Sequence, residues 1–339
     1  MIKNKFLLKK YIPVYRAGDK ICVGYVNDLE KYIEIDYTNY NISLVNNLLR
    51  DGITKKEIKS IYLYSAFFDS NFLVNSMNEN STNRNCLYLE YLFNEEVDFE
   101  KFNKKILIFG AGAGGSVLVF QLAQFGFKNL YIVDDDVVEK SDIFRSFTYS
   151  LKDLNLKKVE VLKKIINERF NIKLNISKDM PISREQINKH VELFKPNLII
   201  KACDPKGIFL KNLNSLAFEK KIPYMSIAYS FEYIKIGPLF VPDITSCSVS
   251  MSDYNVENFG EHYNLDLFER PFKENLIHPS INFNINLLTS LAFKEILFFC
   301  YEKFEYCQVL GRLLIFNPLN FTVRGVNFTC KSNCKICQN

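Results

Sequence analysis

Gly110-Ala111-Gly112-Ala113-Gly114-Gly115 is the segment of this chain best suited to holding phosphate. Gly110, Gly112 and Gly115 satisfy G-x-G-x-x-G, a spacing that permits a tight turn and lets backbone N–H groups approach an anion at a helix N-terminus. Further along, Asp134-Asp135-Asp136 closes the next apolar run, where a carboxylate would hold a ribose hydroxyl. These two features suit any nucleotide-binding sheet, so NAD(P) chemistry stays open beside ATP chemistry. A second group lies near the end of the chain. Cys330, Cys334 and Cys337 fall within the last ten residues, a crowding that points to a metal. Cys22, Cys86, Cys203, Cys300 and Cys307 are scattered and read as small buried apolar residues. His190, His262 and His278 are scattered too, which argues against a Cys–His nucleophile pair.

A glycine loop needs a strand before it and a helix after it, and the sequence supplies both. Ile106–Phe109 reads as a buried strand, 117–125 as a helix, and Leu130–Val133 as the next strand. A helix at 157–169, a strand at 197–201, a helix near 209–219 and a strand at 224–228 continue the alternation. That order predicts an α/β fold with a Rossmann-like, mainly parallel sheet. The polar, aromatic stretch from 250 to about 275 reads as a long loop.

Residues 1–75 read as a separate α+β unit. Short strands are expected at 11–15, 20–25 and 31–36, with turns at Ala17-Gly18-Asp19 and Val26-Asn27-Asp28. Asn41 is expected to cap a helix carrying Ile42, Val45, Leu48 and Leu49, Asp51-Gly52 to stop it, and Thr54 to begin another. This is the element order of a winged-helix-like module. The asparagine-rich run 76–85 reads as a linker to a domain spanning 86–339.

Composition narrows the partners. The chain has 339 residues, 48% hydrophobic and 24% charged, with a net charge of +5 from 43 basic and 38 acidic side chains. A surplus this small, with no basic run, gives nucleic acid no footing. No apolar stretch approaches the roughly 20 residues needed to cross a bilayer, and no signal peptide is evident. The expectation is a cytoplasmic protein in which nine cysteines stay reduced.

The run Asp134-Asp135-Asp136-Val137-Val138-Glu139-Lys140-Ser141-Asp142-Ile143-Phe144-Arg145 resembles the E1-like (ThiF/MoeB/HesA) superfamily pattern D-x-D followed by V-E-x-S-N-L-x-R. Lys157-Lys158-Val159-Glu160, Ala202-Cys203-Asp204 and Gly237-Pro238 running on to Cys247 follow in the order and spacing of that family. The likeness covers roughly residues 84–339 and implies ATP-dependent adenylation of a carboxylate. It implies that Asp134 holds the ribose and that Arg145 and Lys158 bind the phosphates. By the same likeness Asp204 holds Mg²⁺, with Asp136 a weaker candidate, and Arg84 reaches into the partner's site of a homodimer. The family also closes a structural zinc site with two CxxC pairs. Here Cys334–Cys337 is intact, while Ser250 stands where a partner for Cys247 is expected, and Cys330 would supply the missing thiolate.

The N-terminal module resembles the RiPP recognition elements fused to E1-like domains in peptide-adenylating enzymes of the microcin C type. There a leader peptide adds a strand beside the third strand, here 31–36. The implied substrate is a precursor peptide. Three departures bear on competence: Asp142 for Asn, Ser146 for Gln and Ala113 for Gly. Asp142 would place a negative charge near the triphosphate unless Mg²⁺ or a lysine offsets it. A non-catalytic scaffold that presents a leader peptide is the main alternative, and sulfur-carrier activation a further one.

Overall fold

The computed structural model describes residues 5–25, 32–54, 56, 66–67, 70, 72–75, 83–203, 208–259, 279–330 and 334–337. The chain divides into two units, Met1–Val97 and Asp98–Asn339.

In the first unit β1 (Lys5–Leu8) is a strand the sequence reading missed, and β2 (Val14–Ala17) starts three residues later than expected. Pro13 just before β2 offers no N–H to a ladder, which accounts for the late start. β3 (Lys20–Gly24) pairs with β2 across Gly18, whose φ of +61° suits glycine. β4 (Tyr32–Asp36) alternates, with Ile33 and Ile35 buried and Glu34 and Asp36 exposed. It forms one edge of the antiparallel sheet β2-β3-β4.

Helix α1 (Asn39–Arg50) is capped not by Asn41 but by Thr38, whose side chain accepts the Asn41 N–H at 3.2 Å. Asn41 turns back instead and donates to the Asp36 carbonyl at 2.8 Å. Thr54 belongs to a two-residue strand, β5 (Ile53–Thr54), rather than to a helix start. β5 and β6 (Leu73–Asn75) flank β1. Leu8, Ile21, Val23, Ile33, Val45 and Leu48 are among the side chains packed in the core of this unit. Helix α2 (Arg84–Phe93) also belongs here, and Tyr91 packs edge-on against Tyr11 and Tyr25. The turn expected at Val26-Asn27-Asp28, and most of the linker, lie outside the described residues.

The second unit is built on eight strands. In chain order its elements are β7 (Ile106–Phe109), α3 (Ala113–Phe125), β8 (Leu130–Val133), α4 (Lys140–Arg145), α5 (Lys158–Phe170) and β9 (Asn175–Ser177). There follow α6 (Arg184–Phe194), β10 (Leu198–Lys201), α7 (Phe209–Glu219), β11 (Tyr224–Ser230) and β12 (Tyr233–Phe240). The last are α8 (Ser248–Phe259), α9 (Asn282–Cys300), β13 (Arg312–Asn317) and β14 (Thr322–Asn327). The sheet order is β14-β13-β12-β11-β10-β7-β8-β9, parallel from β11 to β9 and antiparallel from β12 outward. The expected α/β fold with a mainly parallel sheet is therefore the observed one.

β7 and β8 are buried on both faces, as strands covered by helices on either side must be. α8 occupies the start of the stretch read as a loop; its polar and aromatic residues carry no strong apolar period, so the pattern gave no helix signal. α9 is long and apolar enough to cross a membrane by length and composition. Its most apolar window is 56% buried, however, and it packs on α3, β11 and β12 as a core helix.

Candidate active site

Strand order reverses between β10 and β7, and the glycine loop sits at that switch, where open α/β sheets bind ligands. Gly110 has φ +107°, and a Cβ there would lie 2.7 Å from the Ala202 carbonyl oxygen. A Cβ on Gly115 would lie 1.9 Å from the Gly110 oxygen, so the first helical turn and the loop can touch only through glycine. Gly112, the residue before α3, faces open space. The Ala113 departure is absorbed by packing: its methyl is buried with Val117 and Ile285, and Tyr229 rests against them.

Asp134 ties the loop to the strand end. Its carboxylate accepts the Ala111 N–H at 2.6 Å and the Asp136 N–H at 2.9 Å. Burial raises its pKa above the ordinary carboxylate value, outweighing those two amides. The exposed carboxylates at this strand end are Asp135 and Asp136. Tyr149, buried, donates to the Ala111 carbonyl at 2.6 Å and fixes the loop from the other side.

Beside the loop lies a buried charge cluster. α4 opens with a capping box in which the Glu139 N–H donates to Asp142 at 3.1 Å. Asp142 is wholly buried, and its other contacts are cations. Arg145 Nη2 lies 2.8 Å from one oxygen and Lys158 Nζ 3.3 Å from the other. Lys158, at the first turn of α5, also reaches Asp136 at 3.2 Å. Burial would push the Asp142 carboxyl up, but Lys158, the Glu139 amide and Arg145 together hold it below its ordinary value. Burial likewise opposes the charge on Lys158, and Asp142, Asp136 and Asp134 outweigh it, raising its pKa. Both partners are therefore ionised at neutral pH. A lone buried carboxylate would cost several kcal/mol, so this arrangement persists only because two cations share it.

Arg145 Nη1 donates to the Tyr229 hydroxyl at 3.2 Å, while Arg145 Nε is buried with no hydrogen-bond acceptor among the described residues. A buried donor left unsatisfied is unusual in a native fold, and an incoming oxyanion would satisfy it. The Ser146 departure is also accommodated. With Ser116 and Thr148 it forms a closed, buried triangle of hydroxyls, 3.1, 2.6 and 2.8 Å on a side.

The structure thus gathers Gly110, Gly112, Gly115, Asp134, Asp136, Arg145 and Lys158 beyond the C-terminal ends of the parallel strands. Asp204 falls outside the described residues. Arg84 is exposed at the first position of α2, in the other unit. Tyr149 and Tyr229 were not anticipated: a tyrosine's hydroxyl role depends on the fold around it, and nothing in their local sequence marks them.

The cysteines converge at a second place. The sulfurs of Cys247, Cys334 and Cys337 all lie within 4.8 Å of one another, with Cys247 and Cys334 at 3.7 Å. The Cys334 sulfur receives the backbone N–H groups of Ile336 and Cys337, an arrangement that favours the thiolate despite burial. Asn214 holds the start of α8 beside Cys247 by accepting from Ser248 N and from the buried Tyr224 hydroxyl. Cys330 is exposed, hydrogen-bonds the Cys337 side chain, and is not part of the close triangle. Soft sulfur donors at this spacing fit zinc.

Comparison with known proteins bears on the fold and the family. The Nedd8-activating enzyme E1 catalytic subunit of Drosophila melanogaster is 36% identical over 75 residues, a stretch covering 22% of this chain and 17% of that relative. The crystal structure of E. coli MccB with ATP superposes with a TM-score of 0.71 at 16% identity, covering 98% of this chain and 99% of that one. The microcin C7 biosynthetic enzyme MccB in complex with N-formylated MccA gives a TM-score of 0.70 at 18% identity, with 98% and 99% covered. At such identities the likeness establishes the fold. A family model then decides the relationship, for it matches residues 90–336, and the chain belongs to the ThiF family.

Proposed function

We propose that this protein binds ATP with Mg²⁺ at the glycine loop and transfers its AMP to a carboxylate of a ribosomally made precursor peptide. ThiF-family proteins are ATP-using adenylyltransferases, which supplies the reaction class. The observation that carries the reading is the pair Arg145 and Lys158 held together beside the loop, with Arg145 Nε still open to an acceptor.

A carboxylate oxygen attacks the α-phosphorus, a new P–O bond forms, and the bond from that phosphorus to the bridging oxygen breaks. Pyrophosphate leaves with the electron pair, and no proton is transferred. Because the reacting groups are all anionic, the protein's task is positioning and charge neutralisation. Arg145 and Lys158 bear on the α-phosphate, Gly112 leaves room for backbone approach, and Asp134 keeps the loop in shape. Asp136 offers the exposed carboxylate for a ribose hydroxyl or, together with Asp204, for Mg²⁺. Bound Mg²⁺ would neutralise charge on the departing pyrophosphate.

MccB has been crystallised with MccA, which supports a peptide as the partner. In this reading the open edge of β4 takes a leader peptide as an added strand, and Arg84 completes the site of a second copy. A scaffold without turnover is the second reading, favoured by the engagement of both cations by Asp142. Incubation with ATP, Mg²⁺ and a candidate precursor peptide separates the two. A peptidyl adenylate heavier by one AMP less one water, with matching pyrophosphate release, supports the enzyme; leader binding without either supports the scaffold.

The cysteine cluster is assigned to structural zinc on Cys247, Cys334, Cys337 and Cys330. Metal analysis is expected to find about one zinc per chain. Chelation or Cys334→Ser is expected to lower the melting temperature by several degrees, since about 1 kcal/mol shifts a domain of this size by about 2–4 °C. A zinc-free protein with an unchanged melt would refute the assignment.

A further inference from the structure

Asp142 is the one departure near the phosphates that adds a charge, and its surroundings show what the charge does. The Glu139 N–H donates to Oδ2 of Asp142, a bond that an asparagine oxygen could accept equally well. What asparagine could not do is hold Arg145 at 2.8 Å and Lys158 at 3.3 Å as a shared counter-ion. Within this cluster Asp134, Asp136 and Asp142 oppose Arg145 and Lys158, three negative charges against two positive. Asp135 and Lys157 add one of each sign. Among these described residues the acidic groups thus outnumber the basic ones by one.

We propose that Asp142 is a selectivity residue that makes this site accept ATP as its divalent-metal complex and reject the metal-free polyphosphate. The proposal rests on the ATP reading above. Asp142 fixes Arg145 and Lys158 in place while cancelling enough of their charge that they do not by themselves draw in a free triphosphate. Free ATP carries about four negative charges and its magnesium complex about two, so one buried negative charge repels the first about twice as strongly as the second. Removing that charge should therefore favour both ligands, and the metal-free one far more.

The test measures affinity for ATP with Mg²⁺ and in buffer freed of divalent metal before the protein is added, with no chelator present, by calorimetry, for the wild type and Asp142→Asn. The wild type is expected to bind the complex at least about 30-fold more tightly than free ATP, and Asp142→Asn to shrink that ratio by about tenfold, consistent with one charge at short range. Inorganic tripolyphosphate without metal should bind Asp142→Asn and not the wild type. If the wild type binds free ATP as tightly as the complex, the proposal is overturned whether or not the variant folds. It is also overturned if Asp142→Asn weakens both forms in parallel, as a purely structural role would. A wild type that binds neither form defeats the ATP reading itself, an outcome distinguishable from the other two because the variant plays no part in it.

Discussion

Lys158→Ala is expected to lower the rate of pyrophosphate release by about 100-fold or more, the scale seen when one preorganised donor to a developing charge is removed. Two losses combine at this position. A cation placed beside the glycine loop disappears, and Asp142 keeps only Arg145 and the Glu139 amide as partners. Arg145 would then be drawn more firmly onto Asp142 and become less available to phosphate. The matching control is Lys157→Ala. Lys157 hydrogen-bonds the Asp135 carbonyl, and its loss should change the rate by less than about threefold, a surface-scale effect. Quench-flow or coupled pyrophosphate assays at saturating ATP distinguish the two; equal losses in both variants would remove Lys158 from the catalytic group.

Gly115→Ala is expected to destabilise the fold and abolish nucleotide binding together. The added methyl would stand 1.9 Å from the Gly110 oxygen and 3.3 Å from the Ala202 Cβ, and neither the loop nor the end of β10 can withdraw without disturbing the pairing of β10 with β7. Forcing extra volume into a packed interior costs about 1–3 kcal/mol and more where backbone must shift. Gly112→Ala separates space for a ligand from space for the fold. Nothing lies within 4 Å of a Cβ at Gly112, so the melting temperature should be unchanged while ATP affinity falls. A Gly115→Ala protein that melts and binds like the wild type would show that the loop is more pliable than its contacts imply.

Much of this site could be read from residue order. G-x-G-x-x-G named its own strand and helix, and β8 and α7 fall on the residues expected for them. The reason is local: apolar runs flanked by glycine and acidic residues leave one sensible assignment. Asp142 was legible as a departure but not as a solution. Its charge was expected to trouble the phosphates, and only the fold brings Lys158, sixteen positions away in the sequence, onto its second oxygen. The same holds for Tyr149, whose hydroxyl reaches Ala111 across 38 residues.

The N-terminal unit was harder to read, because its strands are short and its turns lack strong signals. β1 went unnoticed since KFLL shows no alternation, its buried residues being adjacent. Thr38 had the stronger claim to the α1 cap, and Asn41 drew attention only by standing nearer the apolar positions. At the cysteine cluster, crowding marked only Cys330, Cys334 and Cys337, and the family resemblance added Cys247 to make a four-sulfur set; three of those sulfurs come together directly, with Cys330 joined through Cys337.

The central claim is that Arg145 and Lys158, bridged by Asp142, form a receptor for the α-phosphate of ATP. A crystal grown with a non-hydrolysable ATP analogue and Mg²⁺ examines it directly. Phosphate oxygens within hydrogen-bonding reach of Arg145 Nε and Lys158 Nζ are the predicted result. A nucleotide bound elsewhere, or both cations still turned wholly toward Asp142 with the loop vacant at saturating analogue, would contradict it.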